Sequence, residues 1–461
     1  MSGRTTTLVV QGHESEPFEI TAGVPQGSTL SPILFILYNA ELLDLCNRPH
    51  ERISAISFSD DVNILTYGRS TETNCRTLEA AHSRCLEWAK RHGMSFAPKK
   101  YELIHFTRSH TKFNLQAGID FGHGPVSPSP DVRILGVWLD TKLRWAAHIR
   151  EIQKKAASQQ CALTRIASST WGASFARARQ IYMAVIRPAL THGALAWHNP
   201  LQSTRRLAGV AAKLRTVQNK CLRTIAGAYR ATPTDSLEVE TFIPPISLYL
   251  DSRVAASQAR LASSTSLQAI KSACAAIKRR LKFRPRGWDQ KPTLGQAREA
   301  WVRQRATDLG GDTIPEKERV IRAWTRKWER IKRNDWDQIQ RPPDRKILKL
   351  HQNLRKAESS ALIQFRTGRV GLARFLHTMR VPGYNSPECE CGQGSETPRH
   401  VLCHCPLEEE RRQSLRAVCG GRRVDLVQLL DTPEGAQVAG PWIVRSSRLS
   451  QFQVARVLLY E

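Results

Sequence analysis

The apolar residues of this chain change their period once, near residue 140, and that change limits the fold more than any other feature. Before it, short alternating runs (TTTLVV, PFEI, ERISAISF, DVNILTYG, YELIHFTR, VRILGVWLD) read as strands. Two helical patterns lie among them. Ser31 and Pro32 look like an N-cap and a first helical position, and the ILFILYNAELLDLC that follows is apolar almost all round, which predicts a buried helix. In NCRTLEAAHSRCLEWAKRHG, Leu78, Ala81, Cys85, Leu86 and Ala89 recur at helical spacing and Gly93 ends the run. From about 144 to 280 the pattern is helical, with Ile149, Ile152, Ala156, Leu163 and Ile166 on one stripe. The chain is therefore expected to be α+β.

Punctuation along the chain suggests four parts: 1–140, 141–277, 278–345 and 346–461. The basic, proline-bearing run KRRLKFRPR at 278–286 reads as a linker, and WTRKWERIKRNDWD after it interleaves Trp with basic residues. A shorter helical unit, a Cys/His cluster and a tail follow. Lys and Arg number 69 against 41 Asp and Glu, a net charge of +28. A field of that sign attracts polyanions and makes nucleic acid the leading partner, with ribosomes or an acidic membrane surface as alternatives. No stretch approaches the roughly 20 apolar residues that cross a bilayer, and the first 20 residues lack an apolar signal core. An intracellular protein is expected, in the nucleus or the cytoplasm, with its 11 Cys reduced or bound to metal rather than disulfide-bonded.

Four clusters are candidates to carry chemistry. Asp60 and Asp61 sit between two strand patterns, where adjacent carboxylates repel each other unless a cation intervenes. They are either a Mg²⁺ site of the kind used in phosphoryl transfer or a solvated turn. Gly23-Val24-Pro25-Gln26-Gly27-Ser28 sets a tight backbone ahead of a helix, either to let a ligand approach the main chain or as a plain loop. Cys389-x-Cys391-x8-His400-x4-Cys405 has the residue types of a closed tetrahedral Zn²⁺ site. Cys403 and His404 are alternate ligands, and metal-free reduced thiols are the competing reading. Trp301, Trp324, Trp328 and Trp336 either stack on bases beside basic side chains or form a core face.

Taken together, these residues resemble the reverse transcriptases of non-LTR (LINE-type) retrotransposons, in the variant associated with fungi. GVPQGSTLSPILF resembles the second motif of that family, FSDDVNIL the third with Ser59 in place of Ala, PKKYELIHFTR the fourth and ILGVWLD the fifth, a primer-gripping strand pair. YMAVIRPALTHGALAW and the segment from KLRTVQNKCLRTIAG onward resemble the helical thumb side. ECECGQGSETPRHVLCHCP resembles the C-terminal Cys-Cys-His-Cys element, thought to contact nucleic acid.

The resemblance implies a partial right-hand polymerase palm, a helical thumb and a small zinc-binding region. It implies that Asp60 binds catalytic Mg²⁺ directly, with Asp61 as its less intimate partner. Gln26 and Gly27, flanked by Pro25 and Ser28, would line the site for nucleotide and template. Lys100 would sit near the leaving pyrophosphate, and Phe58 would pack behind the metal site, where a plain core role is equally open. RNA template and DNA primer are the implied partners. The family's first motif supplies another Asp, upstream of what residue 1 resembles, and no Thr-Asp-Gly-Ser signature of an RNase H is present. The expectation is an RNA-directed DNA polymerase fragment with little activity by itself. A non-catalytic nucleic-acid-binding protein and a decayed gene product are the rivals.

Overall fold

The computed structural model describes residues 4–461 except 22, 26, 108, 110, 123, 201–204, 263, 266–267, 270–271, 273–293, 312, 332–335 and 422. Gln26 and the linker expected at 278–286 thus lie outside the described residues. The chain divides into two compact units, 1–147 and 148–461.

The first unit mixes helices with strands. Its strands form five separate two-stranded antiparallel ladders, where the palm implied by the resemblance has an antiparallel sheet: Arg4–Thr6 with Phe18–Ile20, Val9–Val10 with His13–Glu14, Ile53–Phe58 with Asp61–Thr66, Ile119–Asp120 with Pro125–Val126, and Asp131–Ile134 with Val137–Asp140. The last ladder was one strand pattern in the sequence. Leu135 and Gly136 both take left-handed backbone and fold it into a hairpin. YELIHFTR, expected as a strand, forms only a single bridge from Leu103 to Pro128. Its polar side chains bond elsewhere: the Tyr101 hydroxyl lies 2.8 Å from His82 Nε2, and His105 Nε2 2.8 Å from the Ala117 carbonyl.

The helix Ser31–Cys46 differs most from expectation. Only Ser31, Asn39, Leu42 and Cys46 are buried. At 100° per residue these four fall within roughly an 80° arc. Along that stripe Leu42 and Cys46 meet Cys85, Trp88 and Ala89 of the helix Thr71–Arg91. Ile33, Ile36 and Leu37 on the other side are exposed. An apolar composition says that a face prefers burial; it does not supply a partner, and none covers this face among the described residues. Ser31 is also the first helical residue and not the cap, because its hydroxyl donates to the Pro25 carbonyl at 2.6 Å. The second helix starts at Thr71, three residues before the pattern read from Asn74, with the Ser70 hydroxyl accepting from Thr73 N at 3.1 Å, a cap worth about 1 kcal/mol.

The second unit is helical. Ala146–Ile166 buries Ile149, Ile152, Ala156 and Leu163, while Ile166 at its end is exposed. The helix Lys356–Thr367 is its centre, with all of its residues buried. It packs against Leu426–Asp431, Pro433–Arg445 and the C-terminal end of Arg205–Ala226. Its Lys, Gln and Arg side chains are satisfied by long-range partners, while the Ser359 and Ser360 hydroxyls are buried without one. Lys356 Nζ donates to the Thr224 and Ile225 carbonyls at 2.9 and 2.6 Å, supplying the free acceptors at the end of the 205–226 helix. Gln364 Nε2 donates to the Gly227 carbonyl at 2.7 Å. Arg366 sits between Glu240 at 2.9 Å and Asp431 at 3.0 Å. No helix of the described residues is long and apolar enough to cross a membrane.

Candidate functional site

Two places in the molecule gather the residues singled out by the sequence. The first is the hairpin 53–66. Phe58 pairs with Asp61, so the turn is Ser59–Asp60 and Asp61 heads the second strand. Ser59 takes left-handed backbone, φ 55°, as a two-residue turn demands. The buried Asn39 side chain donates to the Ser59 carbonyl at 3.2 Å and holds the tip. Eight residues before Asn39, roughly 12 Å along the same helix, Ser31 holds the loop through Pro25. Arg4 Nη2 fixes the start of that loop on the Gly23 carbonyl at 2.7 Å, and Gly23 and Gly27 both have positive φ. One helix therefore anchors both the Gly-Val-Pro loop and the acidic turn.

Pro25 and Gly27 are exposed and Ser28 is half-buried. Asp60 and Asp61 are exposed, and among the described residues neither forms an ion pair. Two carboxylates at a tip without a cationic partner fit one end of a divalent-ion site, whose remaining ligands would come from substrate phosphates or further carboxylates. Lys100 ends the turn Pro98–Lys100, exposed and without an ion-pair partner among the described residues; the structure brings it into no contact with the aspartates. Phe58 is corrected outright. It is 65% exposed and packs behind nothing, because it shares the outward face of the hairpin with Ile56 and Asp61 while Ala55, Val62 and Ile64 face the helices.

The second place is the Cys/His loop. Cys389 and Cys391 lie in a tight knuckle closed by Cys389 N on the Gly394 carbonyl at 2.8 Å and Gly392 N on the Cys389 carbonyl at 2.9 Å. Gly392 (φ 70°) and Gly394 (φ 130°) take backbone angles that favour glycine. His400 begins a helical turn, His400–His404, and Cys405 follows it. One ligand atom from each of Cys389, Cys391, His400 and Cys405 lies within 4.8 Å of all the others. The Cys389 and Cys405 sulfurs are 3.7 Å apart, and Cys391 Sγ is 3.2 Å from His400 Nε2. Ligands about 2.0–2.3 Å from a tetrahedral ion would be separated by similar distances. Burial holds the His400 imidazole below its usual range, in the neutral form that ligates metal, and pushes the Cys389 thiol up to about 11. Cys403 faces the hydrophobic core and His404 the solvent, so neither joins the cluster.

Four residues here, Arg448, Glu408, Glu396 and Arg412, were not singled out by the sequence. Arg448 Nη1 and Nη2 reach Cys389 Sγ and Cys405 Sγ at 3.6 and 3.5 Å. The same guanidinium pairs with Glu408 at 2.8 Å and Glu396 at 3.2 Å. Buried Arg412 donates to the Leu402 and Cys405 carbonyls and braces the turn. Arg448 lies 43 and 59 residues from the cysteines it touches, beyond any spacing rule.

Comparison with known proteins addresses the first unit. Residues 4–139 match the family model described as reverse transcriptase (RNA-dependent DNA polymerase). These residues are a reverse transcriptase domain. A domain of this family is a polymerase palm, and both the loop 23–28 and the Asp60 hairpin fall inside it. The chain is 24% identical over 227 residues to the probable RNA-directed DNA polymerase from transposon X-element of Drosophila melanogaster, covering 49% of this chain and 24% of the relative. It is 24% identical over 257 residues to the RNA-directed DNA polymerase from mobile element jockey of the same species, covering 53% and 26%. It is 23% identical over 403 residues to the retrovirus-related Pol polyprotein from type-1 retrotransposable element R1 2 of Nasonia vitripennis, covering 85% and 86%. The chain thus spans about a quarter of the length of the first two relatives.

Proposed function

We propose that this chain acts as part of an RNA-directed DNA polymerase that copies an RNA template onto a DNA primer. The carrying observation is that one helix ties the Gly-Val-Pro loop and the Asp60–Asp61 turn together inside a reverse transcriptase domain. In this reading residues 1–140 are the palm, 141–277 the thumb and connection, 278–345 a basic linker with a Trp-rich segment, and 346–461 a zinc-bearing region that holds nucleic acid. Asp60 and Asp61 would hold Mg²⁺, which neutralises charge during phosphoryl transfer. Gly27, with Pro25, Gln26 and Ser28, would shape the nucleotide and template side, and Lys100 would approach the leaving pyrophosphate. Cys389, Cys391, His400 and Cys405 would hold one structural Zn²⁺.

Among the described residues the hairpin tip carries two adjacent carboxylates, Asp60 in the turn and Asp61 at the head of the second strand, while two-metal catalysis draws ligands from more than one strand. That favours a second reading for the chain by itself: a basic protein that binds template and primer without extending them. The test is Mg²⁺-dependent extension of a DNA primer on RNA, run beside binding of the same hybrid. Binding with little or no extension is expected. Robust extension abolished by Asp60→Ala would overturn the two-carboxylate argument, and failure to bind the hybrid would overturn both readings.

A further inference from the structure

Trp336 lies outside the helix Glu316–Glu329, which buries Trp324. It lines an open cleft together with Gln338, Val370, Arg374, Phe375 and Thr397. The Arg369 and Arg374 guanidiniums stand 5.5 and 5.3 Å from the ring centroid, and Phe375 meets the ring edge-on at 6.2 Å. The two arginines differ. Arg369 is held by Asp337 at 3.0 Å and by the Thr367 carbonyl at 2.6 Å. Arg374 is exposed and makes no ion pair among the described residues.

The wall is fixed from behind. Gly368 has φ 67°, and a Cβ there would stand 2.1 Å from the Trp336 carbonyl oxygen, so no other residue lets the chain pass so close. The opposite wall belongs to the Cys/His loop. Glu396 accepts from Ala373 N at 2.6 Å while pairing with Arg448, and Thr397 Oγ1 accepts from His400 N at 3.0 Å. The residues that frame the cleft are therefore tied to those that frame the cysteines.

We propose that this cleft binds one unpaired nucleotide of a single strand, with its base against the Trp336 and Phe375 wall and its phosphate at Arg374. An aromatic wall beside an uncommitted guanidinium matches what single strands offer, a π-face and a phosphate, and stacking is tolerant of base identity. Bases stacked inside a duplex cannot enter. The inference rests on the nucleic-acid reading above and adds a site to it.

The test uses the full 461-residue chain loaded with zinc and a short fluorescent single-stranded RNA, with a duplex of equal length as control. Trp336→Leu and Arg374→Gln should each weaken single-strand binding about 10-fold and leave duplex binding unchanged. Trp336→Phe, which keeps a ring and guards against a folding failure of the leucine variant, should retain most of the affinity. A photoactivated thiouridine in the strand should cross-link to the peptide carrying Trp336 or Phe375. Single-strand binding unchanged in both Trp336→Leu and Arg374→Gln, with no cross-link at either aromatic, would overturn the site and leave the wider nucleic-acid reading standing. Equal losses on single strand and duplex in Arg374→Gln would also overturn it, as plain charge. An unaltered chain that binds neither ligand would bring down the wider reading with it.

Discussion

At the scale of single residues, Arg448 is the most informative side chain. Three thiolates and one neutral imidazole around a divalent zinc leave one net negative charge, and Arg448 lies against two of the three sulfurs. Partners of this kind orient metal ligands, and their loss typically weakens metal affinity 10–100-fold. Purified chain should carry one zinc by mass spectrometry, Cys391→Ser should lose it, and Arg448→Met should retain it about 10–100-fold less tightly in a chelator competition. A metal-free preparation would refute the zinc assignment itself. Glu238 makes a different point. It is buried with Oε1 unpartnered, and burial raises its carboxyl to about 7 from the ordinary 4.5, with Lys327 and Arg215 opposing the rise. Unfolded, the group loses its proton near 4.5; folded, it keeps the proton to about 7. Its contribution to stability is thus complete below the unfolded value and is lost as pH rises through the folded one. Glu238→Gln should raise the urea midpoint relative to the unaltered chain more at about pH 8 than at about pH 5. A gap that does not grow with pH would contradict the assignment.

Among the elements, two helices exchange the roles that their sequences suggest. The 356–367 helix carries Lys, Glu, Gln and Arg yet is wholly buried, because each of these side chains has a fixed partner. Arg366 is the costliest to remove. Replacing it with Met strands buried Glu240 without a counter-charge and leaves Asp431 with Arg341 alone; breaking a buried pair costs about 3–5 kcal/mol. Urea unfolding of Arg366→Met should show a loss of that order, and a loss below about 1 kcal/mol would mean that the network is solvated. The 31–46 helix is apolar yet exposes Ile33, Ile36 and Leu37, and the Asp60 hairpin exposes Ile56, Phe58 and Leu65 on one face. Exposed apolar surface and an open strand edge promote association. Light scattering should find the chain self-associating, and Leu37→Glu together with Phe58→Thr should reduce it. A monodisperse monomer of the unaltered chain would contradict this.

On the scale of the whole molecule, charge governs. A net charge of +28 means that binding to RNA or DNA should be dominated by phosphate contacts and counterion release. Affinity should fall steeply between about 50 and 200 mM salt with little sequence preference. Replacing Lys278, Arg279, Arg280, Lys282, Arg284 and Arg286 with Gln should flatten the salt slope without changing which sequence binds best. A salt-insensitive titration would exclude the electrostatic account. Mutation of His400 should alter any sequence preference more than the linker change does, since an ordered loop can present base contacts as well as charge.

Sequence alone determined what is encoded at short range. The Gly-Val-Pro loop, the Ser59–Asp60 turn and the spacing of Cys389, Cys391, His400 and Cys405 are each built within a few residues, so their chemistry is legible one after another along the chain. It also placed most helices, since an apolar stripe such as Ile149, Ile152, Ala156 and Leu163 reports its own period. Tertiary structure decided which apolar faces find partners, which charged side chains are buried, and which distant groups complete a site. Periodicity measures only how a segment would like to be placed. Burial of Lys356 and Arg366, exposure of Leu37 and Phe58, Arg448 on two sulfurs, and Trp336 on a cleft wall all depend on residues tens to more than a hundred positions away. Only the folded chain brings those together.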